Sequence, residues 1–216
     1  MPVERHPVSR QAHQELRGII LRGDIAPGTK LVVRPLAEKL GLSPTPVKAA
    51  LAALEAEGLV RAVPNYGYFV QTFDAEAIHE ICAFRAALDR LAAELAAAQA
   101  PRQALAGALK QNLTDQRSAV RRSDNQEYAD LNHDFHRMIW EAAGNRRLGE
   151  AADNLAGQVR LLVNSSVQGP GRPMQSIKEH QAILDAFRAG DGALAGELAL
   201  VHALNSEGIL LAVVNR

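Results

Sequence analysis

Cysteine, aromatic residues and long apolar runs are all scarce in this sequence, and each scarcity excludes something. One cysteine, Cys82, permits neither an intramolecular disulfide nor a cysteine-rich zinc site. Aromatic residues make up 4% of the 216 positions while alanine and leucine abound, which points to helix packed on helix. No apolar run reaches the roughly 18 residues of a membrane span, and the opening MPVERHPVSR has no apolar signal core. A cytoplasmic protein with no membrane partner is expected. Hydrophobic content of 47% against 22% charged is that of a globular chain, long enough for one large domain or two modest ones.

Net charge is also lacking, since 24 basic side chains balance 24 acidic ones. The distribution is uneven: residues 1–72 hold three more basic than acidic side chains, and residues 73–216 the reverse. A basic front and an acidic back suit nucleic-acid binding at one end only.

What is present begins with three short helical patterns. Ala12, Leu16, Ile19 and Ile20 have helical spacing over about 9–22, before Gly23 and Pro27-Gly28 turn the chain. A second helix over about 34–40 carries Leu36, Ala37 and Leu40 and is broken by Gly41. Ser43 can cap a third, with Pro44 at its first position and Val47, Ala50, Leu51 and Leu54 as its apolar stripe up to Gly58. Two β-prone runs, 59–63 and 68–71, flank Pro64-Asn65-Tyr66-Gly67 and read as a hairpin. Three helices and a hairpin make a winged helix-turn-helix. The alternative on pattern alone is a small helical domain with a structural hairpin.

The stretch LVVRPLAEKLGLSPTPVKAALAALEAEGLVRAVPNYGYFV resembles the DNA-binding domain of GntR-type regulators. Ser43, Thr45, Pro46, Val47, Ala50, Leu51, Leu54, Glu55, Gly58, Leu59 and Gly67 match the family signature in register. The resemblance implies that Ser43, Thr45 and Lys48 face DNA from the recognition helix, that Arg34 contacts DNA before the second helix, and that Asn65, Tyr66 and Gly67 form a wing tip near the minor groove. Two positions depart from the pattern. Pro44 replaces a usual arginine, removing a forked guanine contact, and Lys48 replaces a second, leaving a flexible point charge. Arg34 and Lys48 read in isolation are also compatible with solvated surface charge.

Beyond Phe73-Asp74 no strand alternation remains. Pro101, Ser123, Gly144-Asn145, Gly169-Pro170-Gly171 and Gly190-Asp191-Gly192 divide the chain into helices at about 74–99, 102–121, 124–143, 146–165, 174–189 and 192–213. The fold class expected is mainly α: a winged helix-turn-helix at 1–72, then an all-α antiparallel bundle of about six helices at 73–216.

Three histidines, His136, His180 and His202, fall on three different helices of that bundle, so they could converge on a metal or serve as ordinary core residues. Here DLNHDFHRMIWEAAGNRRL and IKEHQAILDAFRAGD resemble segments of the FCD effector domain of FadR-type GntR regulators, and six helices favour the VanR-like branch. The resemblance implies a divalent ion, zinc or nickel, held by the three histidines and an aspartate four residues before the first. Asn132 stands at that position; it can ligate through oxygen but brings no charge. His133, three before His136, is a further candidate. Arg85 matches an arginine that faces the effector pocket, which implies a small organic acid as effector; alternatively it pairs with Asp89 as a helix-surface salt bridge. The function expected is a homodimeric, effector-controlled repressor on a pseudo-palindromic double-stranded operator. A metal-responsive sensor is one alternative. A helical-bundle metalloenzyme is another, although no HExxH pair, Glu-x-x-His repeat or nucleophile motif is present.

Overall fold

The computed structural model describes residues 6–99, 102–164 and 172–214. They divide into two compact units, Met1–Asp74 with Gly157–Val167, and Ala75–Ala156 with Gln168–Arg216.

The first unit contains α1 (His6–Leu21), β1 (Lys30–Leu31), α2 (Val33–Leu40), α3 (Pro44–Ala56), β2 (Val60–Val63) and β3 (Gly67–Val70). Its helices are held by the stripes read from the sequence: Leu16, Ile20, Val47, Leu51 and Leu54 are completely buried in one core. Gly41 ends α2 in the left-handed region at φ 65°, where a glycine has no Cβ to clash. Ser43 occupies the cap position of α3 in an extended conformation, but its side chain makes no capping hydrogen bond, contrary to expectation. A cap oxygen normally accepts from the second or third helical N–H. The third position is Pro46, which has no N–H to offer.

The hairpin is part of a three-stranded antiparallel sheet in the order β1-β3-β2. Strand β1 was not anticipated, because two residues carry no alternation to detect. The end of α7 (Arg146–Asn164) also contributes to this unit. Leu161, 1% exposed, joins the winged-helix core, and the Gln158 side chain donates to the Glu57 carbonyl at 3.0 Å. The sequence pattern alone groups the whole of that helix with the C-terminal domain, because its stripe does not show what covers it.

The second unit is built from α4 (Ala75–Gln99), α5 (Arg102–Arg121), α6 (Asn125–Ala142), the first part of α7 (Arg146–Asn164), α8 (Arg172–Ala189) and α9 (Gly192–Val214). The described residues show six helices, each starting and ending within two residues of its expected bounds. Local chemistry marks the boundaries. Asp124 caps α6 by accepting from Glu127 N at 2.9 Å, and Asp191 accepts from Leu194 N at 2.9 Å. Helices α4 and α9 run antiparallel, as the pairs His79–Glu207 and Arg90–Glu197 require. They pack closely at Gly196, where a Cβ would lie 3.2 Å from the Arg90 carbonyl oxygen. Phe135, Leu109, Leu113 and Ile183 are fully buried in the bundle core. No helix among the described residues is long and apolar enough to cross a membrane.

Candidate nucleic-acid interface and candidate metal centre

The buried stripe of α3 leaves Thr45 and Lys48 on its exposed side, with Ser43 exposed just ahead of the helix and Arg34 exposed at the start of α2. The β2–β3 turn presents Asn65, Tyr66 and Gly67, all exposed, with Tyr66 at 67%. That turn needs positive φ at two places, Asn65 (67°) and Gly67 (97°), residue types that tolerate it. The sheet adds two cations that the sequence reading did not single out. Lys30 and Arg61 flank Phe69 in one cross-strand row, with Arg61 Cζ 5.0 Å and Lys30 Nζ 6.0 Å from the ring centroid. Pairing of β1 with β3 brings Lys30 there, so no local signal announced it.

In the bundle, α6, α8 and α9 bring His136, His180 and His202 together; their candidate ligand atoms all lie within 4.8 Å of one another. His202 Nε2 is 3.2 Å from His180 Nε2 and 3.2 Å from His136 Nε2. Nitrogens bound tetrahedrally at about 2.1 Å to one ion stand about 3.4 Å apart, so the spacing fits a shared cation. Each ring turns its other nitrogen to an oxygen. His202 Nδ1 meets Glu179 Oε2 at 2.6 Å, and His180 Nδ1 meets Gln116 Oε1 at 3.4 Å. His136 Nδ1 faces Asp89 Oδ2 at 3.8 Å. Gln116 is itself oriented, donating to Asn112 Oδ1 at 2.7 Å. An acceptor at Nδ1 holds the proton there and leaves the Nε2 lone pair for a ligand, which is how metal-binding histidines are set.

Electrostatics favour the neutral imidazoles. Burial pushes His136 and His180 well below the ordinary histidine value, aided by the other histidines and Arg85. Burial also lowers His202, partly opposed by its bond to Glu179. Burial would raise Glu179, but His202 and Arg172 outweigh it and hold the carboxyl at about 2. Asn132 lies one turn before His136, half-buried, and its Oδ1 accepts from Ser176 Oγ at 3.4 Å. His133 is outside the cluster, with Nε2 3.5 Å from Asp153 Oδ1.

Arg85 and Asp89 do pair, at 3.3 Å, but not on the helix surface: they are 7% and 3% exposed. Asp89 also accepts from Trp140 Nε1 at 2.7 Å. Only Arg85 Nε is used in the pair, and the two terminal guanidinium nitrogens have no hydrogen-bond partner among the described residues. The oxygens behind the histidines were not assigned roles from sequence. Glu179 was visible as the neighbour of His180 in the matching segment, whereas Gln116, on α5, carried no signal.

Residues 8–70 match the family described as bacterial regulatory proteins, gntR family, and residues 80–205 match the FCD domain. The chain belongs to the GntR family of transcription regulators and carries an FCD domain. It is 24% identical over 196 residues to YdhC of Bacillus subtilis (strain 168), an uncharacterized HTH-type transcriptional regulator, spanning 91% of this chain and 88% of that one. It is 26% identical over 186 residues to the HTH-type transcriptional repressor RspR of Escherichia coli (strain K12), spanning 86% and 81%. The structure of E. coli McbR/YncC shares the fold, with a TM-score of 0.83 at 22% identity over 95% of this chain and 97% of that one. YdhC and RspR are both named as regulators of transcription.

Proposed function

We propose that this regulator represses transcription as a homodimer on a pseudo-palindromic operator and is controlled by a small organic acid bound at a divalent ion. Arg34, Ser43, Thr45, Lys48 and the wing tip Asn65–Gly67 form the DNA surface in this reading, with Lys30 and Arg61 adding phosphate contacts. His136, His180 and His202 would hold zinc or nickel, with Asn132 as an oxygen donor. The bound ion supplies a Lewis-acid centre for a carboxylate oxygen. Arg85 would take the same carboxylate through its unused terminal nitrogens, in the forked geometry that guanidinium and carboxylate favour. Each of these residues acts by binding and orientation.

The observation that carries the metal reading is the inward convergence of three imidazole Nε2 atoms whose Nδ1 atoms face Glu179, Gln116 and Asp89. Without a shared cation or proton, those buried lone pairs would oppose one another. Arg85 favours an organic acid over the ion alone as the signal, because a metal gives its guanidinium nothing to bind. Protein purified without chelator or His tag should contain about one divalent ion per chain, lost in His136→Ala. Trp140, the single tryptophan, lies 6.0 Å from His136 between ring centroids, so its emission should change when metal-stripped protein is titrated with Ni²⁺. Ion binding that survives alanine at all three histidines would overturn the reading.

A further inference from the structure

Charge around the three histidines is balanced before any ion arrives. The donors are three imidazoles and the Asn132 amide, all neutral. The charged groups that surround them come as two pairs: Arg85 with Asp89 at 3.3 Å, and Arg172 with Glu179 at 3.0 Å. Two cations cancel two carboxylates. A divalent ion would therefore leave two positive charges without a counter-charge, beside imidazoles that are 4%, 0% and 3% exposed. Uncompensated charge is strongly disfavoured at such burial. Among the described residues no further carboxylate pairs with these groups, and the two terminal nitrogens of Arg85 have no hydrogen-bond partner.

Resting on the metal reading above, we infer that the site takes its ion and a dianionic dicarboxylate as a mutually dependent pair, and that the neutral Asn132 enforces the dependence. One carboxylate shared by the ion and Arg85, with a second close by, restores neutrality; a monocarboxylate restores half of it. Dependence of this kind is reciprocal by linkage, so the acid raises affinity for the ion by the same factor as the ion raises affinity for the acid. An aspartate at position 132 would supply one of the two missing charges and loosen the coupling. Neither ion nor acid alone would then be the signal.

Calorimetry and Trp140 emission test this on the full chain, with free Zn²⁺ or Ni²⁺ fixed by a metal buffer. Malonate and succinate are the dicarboxylate probes, acetate and butyrate the monocarboxylates. Dicarboxylates should tighten ion binding by about tenfold or more, and monocarboxylates clearly less. Asn132→Asp should bind the ion more tightly and the dicarboxylates about tenfold more weakly, opposite changes that a merely disrupted site would not produce. Equal acid affinity with and without ion, or in wild type and Asn132→Asp, overturns the pairing while leaving the metal reading intact, provided ion binding still needs the histidines. Ion binding that ignores the histidines overturns both. If Asn132→Asp does not fold, the comparison of mono- and dicarboxylates on wild type decides, and no difference between them overturns the inference.

Discussion

Gly58, where α3 ends and the wing begins, offers a stringent check on the packing of the winged-helix unit. It sits in the left-handed region at φ +71°, and a Cβ there would fall 2.6 Å from Gln158 Nε2 and 3.0 Å from its Cδ. Gln158 cannot simply rotate away without cost, because its amide donates to the Glu57 carbonyl at 3.0 Å. Gly41 supplies a matched comparison, at φ +65° with nothing within 4 Å of the added Cβ. Gly41→Ala should therefore cost only the left-handed strain, about 1–2 kcal/mol. Gly58→Ala should cost that strain plus the lost Gln158 hydrogen bond, another ~1 kcal/mol. In a Gln158→Ala background the bond is already gone and the space is open, so Gly58→Ala should cost no more than Gly41→Ala. Urea unfolding of the four variants, with m-values compared to confirm a common transition, measures the coupling directly. A Gly58→Ala no worse than Gly41→Ala, or an excess that persists without Gln158, would refute the placement of α7 against this glycine.

Three further outcomes are expected. Lys48→Ala should weaken operator binding and lower the slope of log affinity against log salt by about one unit; unchanged affinity and slope in both Lys48→Ala and Arg34→Ala would remove these residues from the interface. Arg85→Lys keeps a cation beside Asp89 but loses the guanidinium fork, so operator binding without effector should persist while the response to carboxylates falls; a wild-type response would refute the role given to Arg85. Burial pushes the Cys82 thiol from the ordinary 9.0 up to about 11, so the protonated form dominates through neutral pH and reactivity can rise only as pH climbs toward that value. At pH 8 its thiolate fraction in the folded chain should be about a hundredfold below that in urea, and alkylation at equal rates in both states would contradict its burial.

Glycines and prolines made most of the fold legible. Gly41, Gly144 and Gly190 end helices at positive φ, and apolar stripes such as Val47, Ala50, Leu51 and Leu54 identify the buried face of each helix. These are local properties, expressed within a turn or two of chain, so helix positions and the helix-turn-helix could be read without any partner in view. Composition added the class of core, and the resemblance to GntR and FCD segments named Arg34, Lys48, Arg85 and the three histidines as candidates.

What the sequence could not determine depends on contacts between distant segments. Strand β1 exists because Lys30–Leu31 meets β3, and the end of α7 joins the winged-helix core because Leu161 is buried in the same cluster as Leu16 and Leu51. A stripe shows that a helix is buried, not against what. The histidines were visible one by one on three helices, but only the crossing of α6, α8 and α9 places their Nε2 atoms 3.2 Å apart. The oxygens behind them come from Glu179, Gln116 and Asp89, on helices α8, α5 and α4, and no spacing along the chain relates these three. Burial decided the rest. Arg85 and Asp89 have the spacing of a surface ion pair, and it is the bundle closing over them that makes their charges part of the site.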